Sequence, residues 1–314
     1  MMNFIKSINW KDIICIQYYM KAEFSIQAIF EDKSSETIIA CMDKIGTLET
    51  TKLDLDGTSI DLCLDISSLI DPETENLPYI LYKESEKDEV LQAVYTRVDD
   101  LFGRRKPHQL RAVHTDCFPK FPKISKSFLT FWSVVKSNER IEEYFESIPI
   151  QEFICVQDME FQLNENSKFY RAKRIEIHNH DRMAMNMMRR FHGKEMYLFY
   201  VDISDNAIIN FVEKWRNKRE FHDLEILEIE RFNSQNFTMV RREFELFPFG
   251  VKLPIIQPRD FTDEKSYSIP IKVRHYTVRN DGIVAFVINS PDYFIFHVKK
   301  FTEKQLIESG YTME

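Results

Sequence analysis

The stretch from Gly193 to Ile229, GKEMYLFYVDISDNAIINFVEKWRNKREFHDLEILEI, constrains this chain more than any other, because it reads as strand, capped helix and strand in immediate succession. Met196 and Leu198 alternate with Tyr197 and Phe199, the period of two that a pleated strand requires. Ser204 stands as N-cap before a helix whose Ile208, Ile209, Phe211, Val212 and Trp215 fall on one face. The charged run Lys214 to Glu220 lets the chain turn, and Leu224, Leu227 and Ile229 take the L-x-x-L-x-L spacing of a leucine-rich-repeat strand.

Similar strand cores recur around Phe153, Ile175, Leu198 and Leu227, about 22, 23 and 29 residues apart. An apolar helix over Met183 to Phe191 separates the second core from the third, and the Trp215 helix separates the third from the fourth. Strand and helix alternation with right-handed crossovers predicts a parallel sheet with helices on its other side. The expected fold class is therefore α/β, a short leucine-rich-repeat-like strand and helix array with a β-rich N-terminal lobe and a C-terminal β-meander. Strands are expected from Ile13 to Phe30, and hairpins around the turn EDKSSE and around Asp56-Gly57. Residues Asp71 to Glu89 read as a loop, Val90 to Phe102 as a helix on Val90, Leu91, Val94, Val98 and Leu101, with Gly103 ending it. Three prolines in the following connector place the lobe boundary near Lys126, giving lobes of 1–125 and 126–314, with Ser127 to Lys136 and Glu139 to Ser147 helical. The meander comprises Ile271 to Val278, Ile283 to Ile288 and Tyr293 to Val298, turning at Asn280-Asp281-Gly282 and Ser290-Pro291-Asp292.

Charge and cysteine content exclude several classes of function. With 42 basic and 50 acidic residues the formal charge is -8, which disfavours general nucleic-acid binding, because neutralising phosphates needs a concentrated positive field. The run Arg104-Arg105-Lys106 reads as a solvated loop. Five scattered cysteines in mostly apolar contexts suit reduced core thiols and a cytoplasmic or nuclear setting, and no apolar run approaches the ~20 residues that span a bilayer. Seven glycines leave no phosphate cradle, and no serine-hydrolase, P-loop or dinucleotide motif is present.

His178-Asn179-His180-Asp181 is the one arrangement resembling metal ligation: residues i and i+2 on a strand face the same way, with Asp181 or His192 as a third ligand. A metal-dependent enzyme using His178 and His180 is thus the alternative reading, set against loop histidines with no accompanying H-E-x-x-H or C-x-x-C. Cys117 lies near His114 but carries no sign of thiolate stabilisation, and Glu142-Glu143 and Asp99-Asp100 read as solvated helix faces. The methionines at 183, 185, 187 and 188 read as a core helix packing on the sheet. No cofactor or resident metal is expected. If Ile175, Ile177, Met196, Leu198, Leu227 and Ile229 point into the core, then Arg174, Glu176, His178, Tyr197, Phe199, Glu228 and Glu230 project from the other side, as exposed aromatics amid charges in the manner of a protein-binding hot spot.

The central stretch resembles the second type of F-box-associated domain of the large nematode F-box protein family. The resemblance covers about residues 170 to 235 and rests on Ile175 and Ile177, the apolar helix ending near Phe191, Gly193-Lys194, Leu198, Ser204, Asn210-Phe211, Trp215 and Leu224-x-x-Leu227-x-Ile229. FIKSIN, at residues 4 to 9, resembles the junction after the family's F-box, and the meander with Asp281-Gly282 resembles its ending. What this implies is a non-enzymatic protein-binding module, the substrate-recognition part of a cullin-RING ubiquitin-ligase receptor whose F-box holds the ligase's adaptor subunit. An F-box is roughly 40 to 50 residues long, and nothing before Phe4 supplies one. The expectation is a truncated copy, which would meet the adaptor only with an F-box upstream, or an F-box-less relative acting as a free binding protein or competitor.

Overall fold

In the computed structural model the protein is mixed α/β with mostly antiparallel strand pairing, and the chain divides into two compact units, Met1–Phe169 and Tyr170–Glu314. The structure describes residues 11–21, 24–43, 50–55, 57–63, 79–102, 106–113, 118, 121–130, 137–158, 161–231, 246–248, 254–256, 271–290 and 292–311. The readings made for FIKSIN, Asp56, Gly103, Arg104 and Arg105, His114 and Cys117, and residues 131–136 lie outside them.

The first unit contains β1 (Ile13–Met20), β2 (Phe24–Phe30), β3 (Ser35–Asp43), β4 (Thr51–Leu55), β5 (Thr58–Cys63), β6 (Tyr79–Tyr82), helix α1 (Lys87–Phe102), β7 (His108–Val113), β8 (Ile124–Thr130), helix α2 (Asn138–Ser147) and β9 (Phe153–Gln157). Its strand order is β4-β5-β6-β3-β2-β1-β7-β8-β9. The β2–β3 turn places Lys33 at φ 68° while Asp32 Oδ1 accepts from the Ser34 amide and hydroxyl, and the β4–β5 turn places Gly57 at φ 89° with its amide bonded to Asp54 Oδ1. β1, β7, β8 and β9 run parallel, and α1 and α2 occupy the crossovers of β6 to β7 and β8 to β9.

Two expectations are corrected here. Ser127 to Thr130 are strand, not helix, and Lys126 lies within β8, paired to Gln109 of β7 and Phe153 of β9, so the units divide after Phe169 rather than near Lys126. Phe128 has helical spacing with the apolar residues that follow it in the sequence, but Ser127 to Thr130 lie between β7 and β9 and satisfy their backbone groups in the ladder. The expected loop over Asp71 to Glu89 holds β6, whose four residues are all buried, and a 3-10 turn at Glu84–Glu86.

Beneath α1 lies an aromatic core. Tyr95 stacks on Phe121 with ring centroids 4.3 Å apart, and Tyr18 lies 4.8 Å from Phe121. Val90, Leu91, Val94 and Val98 are buried as their spacing requires, whereas Leu101 in the last turn is exposed. His108, 1% exposed, has its Nδ1 2.7 Å from the Tyr18 hydroxyl, while its Nε2 is buried with no hydrogen-bond partner among the described residues. Burial lowers the His108 pKa, with nearby Asp99 opposing the shift and Lys123 reinforcing it. One hydrogen bond joins His108 Nδ1 and the Tyr18 hydroxyl, its donor set by the ring tautomer. On the opposite face of β1, Gln17 bonds Gln27 on β2 at 2.7 Å and Gln109 on β7 at 2.8 Å, a ladder that fixes the register of three strands.

α2 begins at Ser137, whose hydroxyl accepts the Arg140 amide, and buries Ile141, Tyr144 and Phe145. Asn138, Glu142 and Glu146, each four residues apart, accept backbone amides of Gln162, Asn164 and Lys168. Glu142 is therefore a backbone tether, not part of a solvated face, and Asp99 likewise accepts from Lys123 Nζ at 2.7 Å.

The second unit contains β10 (Arg174–His178), helix α3 (Asp181–Arg190), β11 (Glu195–Val201), helix α4 (Asp205–Arg216), β12 (Ile226–Arg231), β13 (Phe247–Pro248), β14 (Ile255–Ile256), β15 (Ile271–Lys272), β16 (His275–Val278), β17 (Ile283–Asn289), β18 (Tyr293–Thr302) and helix α5 (Glu303–Glu308). Its main sheet has the order β10-β11-β12-β18-β17-β16-β13, parallel from β10 to β12 and antiparallel beyond, while β14 and β15 pair separately. The expected strands around Ile175, Leu198 and Leu227, the two intervening helices and the meander are all formed. Thr302 and Gln305 close a capping box on α5, which sets Leu306 into a cluster with Val273, Tyr276, Val284, Phe286 and Ile295.

His108 makes the stability of the first unit depend on pH with a determined sign. Its folded pKa lies below the ordinary 6.5, so below that pH the unfolded chain binds the proton first and stability falls with pH, by at most about 1.4 kcal/mol per unit. Urea unfolding at about pH 7.5 and about pH 5.5 is expected to show this component in the wild type and its absence in His108→Gln.

Candidate functional site

The register of the second unit sorts its strand residues onto two faces. Ile175 pairs with Met196, Met196 with Leu227, and Leu227 with Phe296; Ile177, Leu198, Ile229 and Phe294 repeat the row. Helices α3 and α4 cover this face, bringing Met183, Met187 and Met188 and also Ile208, Phe211, Val212 and Trp215 into the core. Phe211 and Trp215 meet Phe296 edge-on at 5.6 and 4.9 Å. The methionine helix is core, as its spacing implies. Gly193, just before β11, is required by contact, since a Cβ there would fall inside the radius of the Ala172 carbonyl oxygen and 2.5 Å from Phe191 Cζ.

The seven residues expected to form a partner-binding face share the opposite side, but they are not exposed. Tyr197 and Phe199 are 2% exposed, Glu228 5% and Glu176 8%, with Arg174, His178 and Glu230 half-buried. The physical reason lies in their mutual pairing. The Arg174 guanidinium lies 5.0 Å over the Tyr197 ring and bonds Glu176, Tyr197 stacks with Phe199 at 6.3 Å, and His178 lies 4.7 Å from the Phe199 ring. The Tyr197 hydroxyl donates to Glu195 Oε2 at 3.3 Å, and His297 Nε2 lies 2.8 Å from Glu228 Oε1. Burial raises the pKa of Glu176, with Arg174 opposing, and raises those of Glu230 and Tyr197. This is a buried polar and aromatic layer in which charges satisfy one another, so the exposed hot spot expected at Tyr197 and Phe199 is not present.

The histidine pair is also rearranged. β10 ends at His178, Asn179 turns at φ 59°, and His180 becomes the N-cap residue of α3, so the two imidazoles do not share a strand face. His178 instead has a ring nitrogen within 4.8 Å of a Glu176 carboxylate oxygen, and among the described residues no converging group of three potential metal ligands includes His180, Asp181 or His192. Cys15, Cys41 and Cys63 are buried free thiols and Cys155 is half-buried; burial pushes Cys15 up to about 11 and raises Cys41 further, which suppresses the reactive thiolate. No helix among the described residues is long and apolar enough to cross a membrane.

Exposed chemistry gathers at the carboxyl edge of β10, β11 and β12, the edge where α/β sheets bind ligands. Here the β11–β12 register slips between Leu198 and Val201, and Tyr200 is driven to φ 52° with its side chain in solvent. A left-handed conformation at a bulky aromatic is strained and needs the surroundings to impose it. They do: the Asn179 amide donates to Phe199 O at 3.0 Å, and the Asp202 amide donates to Asp181 Oδ1 at 2.6 Å, clamping the chain on both sides of Tyr200. Ser204 is the N-cap position of α4, as expected, but its side chain makes no capping bond; its carbonyl accepts the Ala207 and Ile208 amides. Asp205, in the first turn, instead reaches Arg231 at the end of β12, with Oδ1 3.0 Å from Nη1. Tyr200, Asp202, Asp205 and Arg231 went unmarked in the sequence because alternation makes Tyr200 one more strand residue; only the acid in the first helical turn gave a local signal.

Phe199→Ala is expected to destabilise the protein by about 3–5 kcal/mol in urea unfolding, as a buried aromatic does and an exposed anchor does not. Gly193→Ala should cost about 1–3 kcal/mol in the same measurement, through overpacking against Ala172 and Phe191. Against this structural background, no protein-family model, no curated protein and no solved structure matches the chain.

Proposed function

We propose that the chain is a non-enzymatic protein-binding module, similar to the substrate-recognition part of an F-box ubiquitin-ligase receptor, that grips its target along the carboxyl edge of β10, β11 and β12. The observation that carries this is Tyr200, an aromatic held in a strained conformation with 39% of its surface in water. Folding gains nothing from exposing a strained tyrosine, whereas tyrosine is the side chain most suited to anchoring a protein interface. The half-buried His178 and His180 and the exposed Asp181 and Asp202 supply a polar rim around it.

In this reading β10 to β12 with α3 and α4 form a short leucine-rich-repeat-like array, in which Leu224, Leu227 and Ile229 serve as one rung. The resemblance over about residues 170 to 235 assigns target choice to this unit and recruitment of the ligase adaptor to an F-box. A free binding protein, or a competitor for the same targets, would use the same edge without the adaptor.

Tyr200→Gly separates binding from folding, because glycine adopts the left-handed region without strain. The variant is expected to keep or gain stability, by about 1 kcal/mol, and to lose the proteins that the wild-type chain captures from cell extract. Equal capture by both chains would remove Tyr200 as the anchor, and capture of nothing by the wild type would reject the binding-module reading. Adaptor among the captured proteins would favour the ligase receptor over the free binder.

A further inference from the structure

Arg231 and Asp205 form an ion pair whose geometry leaves half of each group unused. The Arg231 side chain is 5% exposed and that of Asp205 9%, and a single bond, Nη1 to Oδ1 at 3.0 Å, joins them. Arg231 Nε and Nη2 and Asp205 Oδ2 are buried and have no hydrogen-bond partner among the described residues. An arginine and a carboxylate meeting alone normally close a bidentate fork, which consumes two donors and two acceptors. This pair instead presents two donors beside one acceptor. Leaving such charged groups unsatisfied costs several times what a neutral orphan costs.

The placement is also that of a site. Arg231 ends β12, where the sheet passes from parallel pairing with β11 to antiparallel pairing with β18, and its own amide donates to Asp292 O at 2.7 Å. Asp205 opens α4, at the helix end whose dipole favours an anionic side chain. Asn289 pairs with Phe294 and Phe294 with Ile229, which puts Asn289 on the face that carries Arg231. Both amide atoms of Asn289 are buried without a partner among the described residues. The same sheet face thus carries unused donors and acceptors on β12 and, two strands away, on β17, with the formal charges of Arg231 and Asp205 already cancelled.

We propose that this pair recognises a carboxamide, the side chain of an asparagine or glutamine in a bound segment. The amide oxygen accepts from Arg231 Nε and Nη2, and the amide N–H donates to Asp205 Oδ2, so one neutral group satisfies every unused atom of the ion pair. A carboxylate offers no donor to Asp205 and is repelled by it, and an ammonium offers no acceptor to Arg231 and is repelled by that. The inference deepens the reading of this edge as a target-binding surface by naming what one subsite selects. It is tested with small probes, so that its failure is distinct from failure of the Tyr200 anchor.

The probes are N-acetyl-glutamine-N-methylamide and its glutamate and leucine counterparts, titrated into the full chain and followed by the amide and arginine Nε resonances. Saturable shifts in the millimolar range are expected for the glutamine probe, with the other two at least about tenfold weaker. Arg231→Lys keeps the charge opposite Asp205 but loses the fork, and should abolish the response while thermal unfolding stays cooperative. Asp205→Asn replaces the lone acceptor by an amide, removes the repulsion and should shift preference from the glutamine to the glutamate probe, which a purely structural ion pair would not do. No saturable shift with the wild type, an unchanged response in Arg231→Lys, no change of preference in Asp205→Asn, or a high-resolution structure in which ordered water alone satisfies these atoms in the presence of the probe would each overturn the assignment.

Discussion

Trp215 is the side chain on which the second unit depends. It is fully buried, with its ring edge-on to Phe296 of β18 at 4.9 Å and the Arg279 guanidinium 5.3 Å away on the other flank. A parallel array ending at β12 would present an unpaired backbone and an open core at its last strand. Trp215 and Phe211 resolve this by giving Phe296 an aromatic surface, so that β18 joins β12 antiparallel with Phe296 opposite Leu227. The hairpin between β16 and β17 completes the joint. The Asn280 amide donates to Arg216 O, one of the carbonyls that the helix end leaves free, and Arg279 holds Asp281 through two bonds at 2.9 and 3.1 Å. Arg279, with Lys218, keeps the Asp281 carboxyl ionised down to a pKa of about 2.

A second constraint is that polar side chains do much of the backbone's work. The Asn138, Glu142 and Glu146 stripe satisfies three amides between β9 and β10, two in irregular chain and one at the start of the 3-10 turn Lys168–Arg171, and the Gln27, Gln17, Gln109 ladder locks three strands whose apolar alternation alone would tolerate slippage. The buried layer around Arg174, Tyr197 and Glu228 follows the same logic at higher stakes, because unpaired charges there would be costly. The carboxyl edge of β10 to β12 combines two costs of a different kind. Its strain at Tyr200 and its unused atoms at Arg231 and Asp205 are costs that the neighbouring packing sustains, and such costs concentrate where a protein meets something else.

Legibility differed sharply along the chain. Every strand and helix from Arg174 to Arg231 was readable, because each carries its own period and punctuation within a few residues. The meander was readable from Asn280-Asp281-Gly282 and its flanking alternation. β8 was not, since Phe128 and the apolar residues after it in the sequence have helical spacing, and only the neighbours β7 and β9 make Ile124–Thr130 a strand. β6 was hidden because four apolar residues next to a charged turn carry too little pattern. At the site, Tyr197 and Phe199 were placed correctly on the face opposite the helices but given the wrong exposure, and Tyr200 was overlooked.

The residues from Arg174 to Arg231 thus determine, by themselves, which of their segments are strands, which face of α4 enters the core, and that Trp215 must be buried, because propensity, period and apolar area act over a turn or a few residues. Tertiary structure decided which sheet face is covered, which charges are tethers, and where the chain is strained. Those depend on residues brought together from distant positions, as Asp205 is to Arg231, and side-chain alternation specifies opposite sides without saying which one meets water.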